Sequence, residues 1–162
     1  MSILKTITID GFYTQESASN IASAVFNLPY IPSDYGKEIQ NFNLVPPDAD
    51  ELFSKVLNKK VKVGIDSGTF RIPELTIHFE SFENLNQWLF VVALQESTFN
   101  IFEHKSGVDS ALGGYQFGYR NLLEWDLQVN YILKPGQGVF FRPWLFHSFN
   151  LGIVQAFRLE EV

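Results

Sequence analysis

The sequence predicts an α+β protein in which strands outnumber helices. Two segments near the N-terminus place apolar residues at helical spacing, and from Val61 onward short strand-like segments alternate with glycine and proline turns. Two helices followed by many strands favour a jelly-roll, or double-stranded β-helix, with the N-terminal helices packed outside the sheet. A β-sandwich without a functional site would have a similar pattern.

The first strand and the first helix have clear sequence signals. Residues 4–10 alternate apolar and polar side chains and are predicted to form a strand that Gly11 ends. Residues 14–28 are predicted to form a helix, with Thr14 as its N-cap and Pro29 after its last turn.

The second helix is predicted over residues 46–58. Pro46, Pro47 and Asp48 suit its start, since proline and acidic residues are favoured in a first turn. Between the two helices, residues 30–36 are predicted to be a loop or an irregular edge.

The remainder of the chain is predicted to be strands and turns. A glycine-containing loop is expected over residues 106–119 and a short helical turn over residues 121–125. The predicted strands span residues 61–65, 69–72, 75–81, 88–94, 98–103, 126–133, 138–142, 145–149 and 153–159.

Composition narrows the class of protein. The 162 residues suit one domain over residues 1–162, and 46% hydrophobic with 19% charged residues is a globular composition. A net charge of −6 argues against nucleic acid or an anionic membrane as partner. The absence of cysteine excludes disulfides, thiolate metal sites and a catalytic cysteine. No apolar stretch is long enough to predict a membrane span, and the absence of cysteine is compatible with the cytoplasmic setting that is expected.

Three residues carry the chemistry of metal binding. His78 and Glu80 lie two apart on a predicted strand, so both side chains are expected on one face, and His147 follows much later. Two imidazoles and one carboxylate are the ligands of the facial triad that holds non-haem Fe(II). A metal would also offset the cost of an inward-facing carboxylate. The remaining histidine, His104, is expected at the surface or at a loop edge.

The motifs resemble those of a known superfamily. His78-Phe79-Glu80 resembles the proximal metal motif of the Fe(II)/2-oxoglutarate-dependent oxygenases, and residues 133–147 resemble the turn and strand that carry their distal histidine. Residues 9–14, followed by a helix, resemble the entry of prolyl-hydroxylase-like members, and cupin-like members share the general pattern.

The resemblance implies an activity and its residues. His78, Glu80 and His147 would be both the Fe(II) ligands and the catalytic centre. Arg158, the one basic residue on the strand after His147, would hold the far carboxylate of 2-oxoglutarate through its planar fork. The implied reaction hydroxylates an unreactive C–H bond of a substrate that no residue identifies, with Fe(II) and 2-oxoglutarate as cofactors. The loop over residues 106–119 would be a lid.

Two alternatives remain open at this point. Residues 138–150 approximate the second motif of cupins, which predicts a metal-binding cupin without 2-oxoglutarate chemistry. The acidic, phenylalanine-rich composition fits a non-enzymatic jelly-roll, acting as a binding or structural module, equally well.

Overall fold

The computed structural model of the chain describes residues 6–26, 31–33, 36–39, 47–64, 68–71, 77–79, 86–104, 116–119, 125–143, 145–150 and 152–162. Within these ranges, residues 31–33, 36–39, 68–71, 77–79, 104, 116–119, 125 and 150 are described by their backbone alone. In the part of the chain so described, neither helix has the length and apolar character that crossing a bilayer requires.

Both predicted helices are present. Helix α1 spans Gln15–Val25, and the hydroxyl of its N-cap Thr14 accepts a hydrogen bond from the Ser17 N–H at 3.0 Å, which satisfies one amide of the helix start. Helix α2 spans Ala49–Leu57 and ends at Asn58, whose left-handed backbone has a φ of 53°. The buried faces consist of Ala18, Ala22 and Val25 in α1 and Ala49, Phe53 and Leu57 in α2.

The described residues form thirteen strands. They are β1 (Ile7–Ile9), β2 (Ile31–Ser33), β3 (Gly36–Ile39), β4 (Val61–Val63), β5 (Gly68–Arg71), β6 (Ile77–Phe79), β7 (Gln87–Ala93), β8 (Ser97–His104), β9 (Gln116–Tyr119), β10 (Trp125–Leu133), β11 (Gly138–Phe141), β12 (Phe146–Asn150) and β13 (Ile153–Glu161).

The strands pair antiparallel in two sheets. The larger sheet has the order β1-β11-β7-β13-β5-β3-β2, with β4 paired to the end of β13. The smaller sheet has the order β10-β8-β12-β6-β9. Most neighbouring strands are distant in sequence, because the chain passes repeatedly from one sheet to the other. This arrangement confirms the predicted fold, a mostly β double-stranded β-helix with two helices.

An aromatic and aliphatic core lies between the sheets, and a second one lies beneath α2. The first includes Leu89, Val91, Phe99, Ile101, Phe141, Phe149 and Val154, and the second includes Phe53, Trp88, Phe90, Phe140, Phe157 and Leu159. Residues along β13 alternate between the two. Val154 and Ala156 pack towards the smaller sheet, whereas Phe157 and Leu159 pack beneath α2. This alternation decides which residues of β13 face the interior.

The segment between the helices differs from the prediction. Instead of a loop or an irregular edge, β2 and β3 pair with each other at the edge of the larger sheet. Strand β2 pairs with β3 alone among the described strands. Pro32 is tolerated there because an edge strand leaves one row of its N–H groups outside the ladder.

The predicted loop over residues 106–119 is also partly a strand. Its last four residues form β9, in which Tyr119 lies opposite Ile77 of β6. The glycines of this segment suggested a loop, but the aromatic residues Phe117 and Tyr119 favour a strand once β6 provides a partner. Residues 105–115 lie outside the described residues, as does the predicted helical turn up to Trp125, where β10 begins.

Four elements are tied together around one carboxylate. Oε1 of Glu161 accepts a hydrogen bond from Trp88 Nε1 at 3.0 Å and lies 3.3 Å from Arg142 Nη2 and 3.4 Å from Lys59 Nζ. Arg142 also donates to the Gln87 carbonyl at 3.0 Å, and its guanidinium carbon lies 3.7 Å from the centre of the Trp88 ring. We call these five residues the Glu161 cluster. It joins β7, β13, the end of β11 and the residues after α2.

The charges of the Glu161 cluster support one another. Burial alone would raise the pKa of Glu161, but the hydrogen bond from Trp88 and the positive charges of Lys59 and Arg142 outweigh it and lower that pKa below the ordinary value of 4.5. Burial lowers the pKa of Arg142, and the negative charge of Glu161 acts against this. Both groups are therefore charged near neutral pH.

Replacing Glu161 by glutamine is expected to lower the free energy of unfolding at neutral pH by up to about 1 kcal/mol, since solvent partly screens the pairs. A carboxyl group with a lowered folded pKa stabilises the fold above its unfolded pKa, near 4.5, and this contribution is lost as the pH falls through the folded pKa. Urea unfolding of both proteins at pH 7 and in acid measures the difference. Glu160→Gln, at the exposed neighbouring position, is the control. A stability difference that does not change with pH would contradict this prediction.

Candidate metal centre

His147 occupies the middle of the smaller sheet. It lies on β12, between β6 and β8, where its Cα pairs with Ile101 on one side and with His78 on the other. The strand order thus brings two of the three predicted metal ligands, distant in sequence, to directly opposed backbone positions.

The side chain of His147 faces the core between the sheets. It is 2% exposed, and its ring packs edge-on against Phe141 of the larger sheet at a centroid distance of 4.7 Å. Its second ring contact is Phe149, two residues along β12, at 6.4 Å. The rings of Phe141 and Phe149 shield the imidazole from bulk water on two sides.

One hydrogen bond fixes the tautomer of His147. Nδ1 lies 2.6 Å from the carbonyl oxygen of Leu145. A carbonyl oxygen only accepts, so Nδ1 carries the proton, and in the neutral ring Nε2 is then the nitrogen with a lone pair. Metal-binding histidines usually donate their other ring N–H to a carbonyl or a carboxylate in this way. The arrangement of His147 therefore fits a role as metal ligand through Nε2.

A ladder of amide and hydroxyl groups, buried at Asn100 and Ser148 and exposed at Asn130, holds β12 on its other face. The Asn130 amide donates to Asn100 Oδ1 at 2.6 Å, and the Asn100 amide donates to Ser148 Oγ at 3.2 Å. The three residues lie directly opposite one another on β10, β8 and β12. Because Ser148 follows His147 directly, this ladder fixes the register of β12 at the histidine.

Arg158 lies on the face of β13 that looks into the core between the sheets. Its Cα is opposite Leu89 of β7, which is itself opposite Phe141 of β11, and Leu89 and Phe141 both belong to that core. Arg158 also alternates in step with Val154 and Ala156. It is half-buried. The row Phe141, Leu89 and Arg158 therefore runs across the larger sheet on the side where the His147 ring packs.

Gln155, three residues before Arg158 on β13, faces the opposite way. It is 1% exposed, and its Oε1 accepts a hydrogen bond from the Tyr13 hydroxyl at 2.6 Å. Burial raises the pKa of Tyr13 to about 12, against the smaller opposing effect of this hydrogen bond. Gln155 thus anchors the segment before α1 and does not belong to the candidate site.

The other predicted site residues are described in part. Glu80 lies outside the described residues, and His78 is described by its backbone. Among the described side chains, no group of three histidine, aspartate or glutamate residues forms a metal cluster. His104 is the last residue of β8, where it pairs with Trp125. No sequence pattern could identify the Leu145 carbonyl as a partner of His147, because every residue has a backbone carbonyl.

Comparison with known proteins identifies related folds. No protein-family model and no curated protein sequence matches the chain. Among solved structures, HygX from Streptomyces hygroscopicus with nickel and 2-oxoglutarate bound is similar at a TM-score of 0.64 and 10% identity, over 99% of this chain and 84% of HygX. The epimerase SnoN from nogalamycin biosynthesis has been solved in complex with Fe3+, alpha ketoglutarate and nogalamycin RO. It is similar at a TM-score of 0.66 and 11% identity, over 98% of this chain and 80% of SnoN.

A third similar structure is EctD from S. alaskensis with bound Fe, at a TM-score of 0.56 and 12% identity, over 98% of this chain and 73% of EctD. Identities this low establish the fold alone. The chain has the double-stranded β-helix fold of the Fe(II)/2-oxoglutarate-dependent oxygenases, the superfamily that its sequence resembles.

Proposed function

We propose that this protein is an Fe(II)/2-oxoglutarate-dependent oxygenase. In this proposal His78, Glu80 and His147 bind the iron, and Arg158 binds the co-substrate. The observation that carries the proposal is the position of His147, which lies opposite His78 in the register and whose Nδ1 proton is held by the Leu145 carbonyl.

The pairing of the two histidines supports a shared ion. Directly opposed residues of antiparallel strands project to the same face, with Cβ atoms about 4.5–5.5 Å apart. Two imidazoles at such positions suit neighbouring corners of one coordination sphere. Glu80, two residues after His78, would supply the carboxylate that completes the facial triad.

The position of Arg158 supports 2-oxoglutarate as the co-substrate. Arg158 lies two strands away from Phe141, the residue that packs against the His147 ring, and two strand spacings amount to about 10 Å. A short dicarboxylate lying along this row would have one end beside His147 and the other at the Arg158 guanidinium.

Each residue has a defined task in the proposed reaction. Fe(II) would supply the activation of O₂, in the overall conversion of 2-oxoglutarate, O₂ and a substrate C–H group to succinate, CO₂ and a C–OH group. The Leu145 carbonyl keeps His147 in the ligating tautomer, and Phe141 and Phe149 exclude water from its ring. Arg158 orients the co-substrate by a charge-assisted, bidentate contact.

The substrate is proposed to be a small organic molecule. HygX has been solved with hygromycin B bound and SnoN with nogalamycin RO, so both neighbours accept such compounds. The acidic character of this chain, with its net charge of −6, also favours such a substrate over nucleic acid.

An anaerobic titration tests the proposal. Wild-type protein is titrated with Fe(II) and then with 2-oxoglutarate, and the charge-transfer absorption of the iron-bound keto acid is recorded. One equivalent of each is expected to bind, and admission of O₂ is expected to give succinate. Metal binding without 2-oxoglutarate binding would point to a metal cupin, and binding of neither would point to a non-enzymatic module.

Replacing Arg158 by alanine is expected to weaken 2-oxoglutarate binding about tenfold to a hundredfold and to leave Fe(II) affinity unchanged. A charge-assisted hydrogen bond contributes about 1.5–3 kcal/mol, which corresponds to this range. Isothermal titration of the metal-loaded protein measures the affinity. Lys62→Ala is the matched control, because it removes an exposed cation from the strand beside β13. Equal 2-oxoglutarate affinities in the two variants would show that the anchor lies elsewhere.

A further inference from the structure

We propose that Arg142 is a positioning residue for His147. It acts through the turn that the Leu145 N–H closes by a hydrogen bond to the Arg142 carbonyl, and Leu145 provides the carbonyl that holds the histidine. The inference rests on the proposed function for its consequence, since the positioned group is the proposed metal ligand. The link itself is a set of contacts within this chain and does not depend on a bound metal.

The first step is the fixation of Arg142. Its guanidinium is held from three sides, by the Gln87 carbonyl at 3.0 Å, the Glu161 carboxylate at 3.3 Å and the face of the Trp88 ring at 3.7 Å. Arginine suits this place because its planar group can stack on an aromatic ring and donate in two directions at once. Residue 142 is therefore tied to both β7 and β13 at the point where β11 ends.

The second step is the turn itself. The Leu145 N–H donates to the Arg142 carbonyl at 3.2 Å, and this hydrogen bond ties the two backbone positions together. Pro143 follows Arg142 directly, and its ring fixes φ at that position. With Arg142 held by the Glu161 cluster, the turn has a fixed start and a restricted backbone.

The third step links the turn to the histidine. The residue whose N–H closes the turn also provides the carbonyl that accepts from His147 Nδ1 at 2.6 Å. A hydrogen bond this short tolerates little displacement, because its strength falls as distance and angle depart from the optimum. A shift of the turn would therefore weaken the preference for the Nδ1–H tautomer. The other tautomer carries its proton on Nε2, the nitrogen that would bind the metal.

Phe141 and Arg142, at the end of β11, hold His147 in two different ways. Phe141 packs directly against the His147 ring in the core between the sheets. Arg142 acts at the opposite side of the strand, where it contacts Trp88 of the core beneath α2. Both hold the same imidazole, the first by contact and the second through the backbone.

The test compares Arg142→Ala and Arg142→Lys with Val25→Ala. Val25 is fully buried on the inner face of α1, so its truncation lowers stability without a contact to the turn. The first readout is the tautomer of His147 in metal-free protein, from the ¹⁵N spectrum of labelled imidazole. The second is the affinity for Co(II), which reports on a nitrogen and carboxylate site without turnover.

In the wild type and in Val25→Ala, His147 is expected in the Nδ1–H tautomer alone. In Arg142→Ala, a mixture of tautomers and a 10–100-fold loss of Co(II) affinity are expected, the range typical when a group behind a metal ligand is removed. Arg142→Lys keeps the charge but not the planar fork, and an intermediate result is expected. If Arg142→Ala does not fold, the lysine variant decides the question by the same two readouts.

A single Nδ1–H tautomer in both Arg142 variants, with Co(II) affinities equal to that of Val25→Ala, would overturn the inference. If wild-type protein binds no Co(II), the proposed function fails instead. The tautomer comparison then still decides whether Arg142 positions His147.

Discussion

Replacing His147 by alanine is expected to reduce Fe(II) affinity by more than about 100-fold. Loss of a group behind a metal ligand typically costs 10–100-fold, and loss of the ligand itself removes a coordinate bond as well. The substitution also leaves the Leu145 carbonyl without its 2.6 Å partner inside the core, which is expected to lower the free energy of unfolding by about 1–3 kcal/mol. Anaerobic Fe(II) titration below the unfolding temperature of the variant measures the effect.

The chain provides a matched control for this experiment. Of the three histidines, His104 is the one outside the proposed triad, and His104→Ala is expected to bind Fe(II) as the wild type does. His78→Ala is expected to behave like His147→Ala, because the two residues are opposed in the register. Unchanged Fe(II) affinity in His147→Ala, or an equal loss in His104→Ala, would contradict the assignment of the ligands.

The largest effect on stability is expected from Gly136→Ala. Gly136 has a φ of 94°, a conformation that costs other residues free energy, and an added Cβ would overlap the carbonyl oxygen of Tyr13. The overlapped group is backbone and cannot rotate away. The same turn accepts hydrogen bonds from the Phe12 and Tyr13 N–H groups through the Gly136 carbonyl, so both segments would have to move. A loss of about 3 kcal/mol or more in the free energy of unfolding is expected.

Gly11→Ala separates strain from overlap. Gly11 also has a positive φ, 67°, but a Cβ there would meet no atom within 4 Å. Its substitution is expected to cost about 1 kcal/mol, the cost of the backbone conformation alone. Urea unfolding of the two variants gives the comparison. Equal losses of stability in the two variants would mean that overlap with the Tyr13 carbonyl adds nothing to the cost of Gly136→Ala.

Much of the fold could be predicted from local sequence signals. Thr14 caps α1 as expected, because its hydroxyl satisfies a nearby amide whatever the rest of the chain does. The long strands β7 and β13 are rich in β-branched and aromatic residues, which favour a strand even before a partner is known. Edge elements such as β2, β3 and β9 were missed because pairing with distant strands, rather than their own composition, stabilises them.

The candidate site could be predicted only in part. The sequence supplied the types and the order of the proposed ligands, but the opposition of His147 to His78 depends on the register between β6 and β12. The face that Arg158 occupies follows from its pairing with Leu89, which no local pattern determines. The link through Leu145 is a backbone contact, and a sequence has no means of marking one carbonyl among all the others.

The pairing of β1 with β11 has a consequence for how the protein is made. Ile7 lies opposite Phe140, so β1 has no partner in the larger sheet until synthesis has passed β11. Contacts between such distant segments slow folding, because the entropy of closing a long loop is lost before the contact is gained. Until β1 docks, β11 presents an open row of hydrogen-bonding groups to any other strand nearby. We therefore expect a chain shortened by its first ten residues to aggregate through this edge.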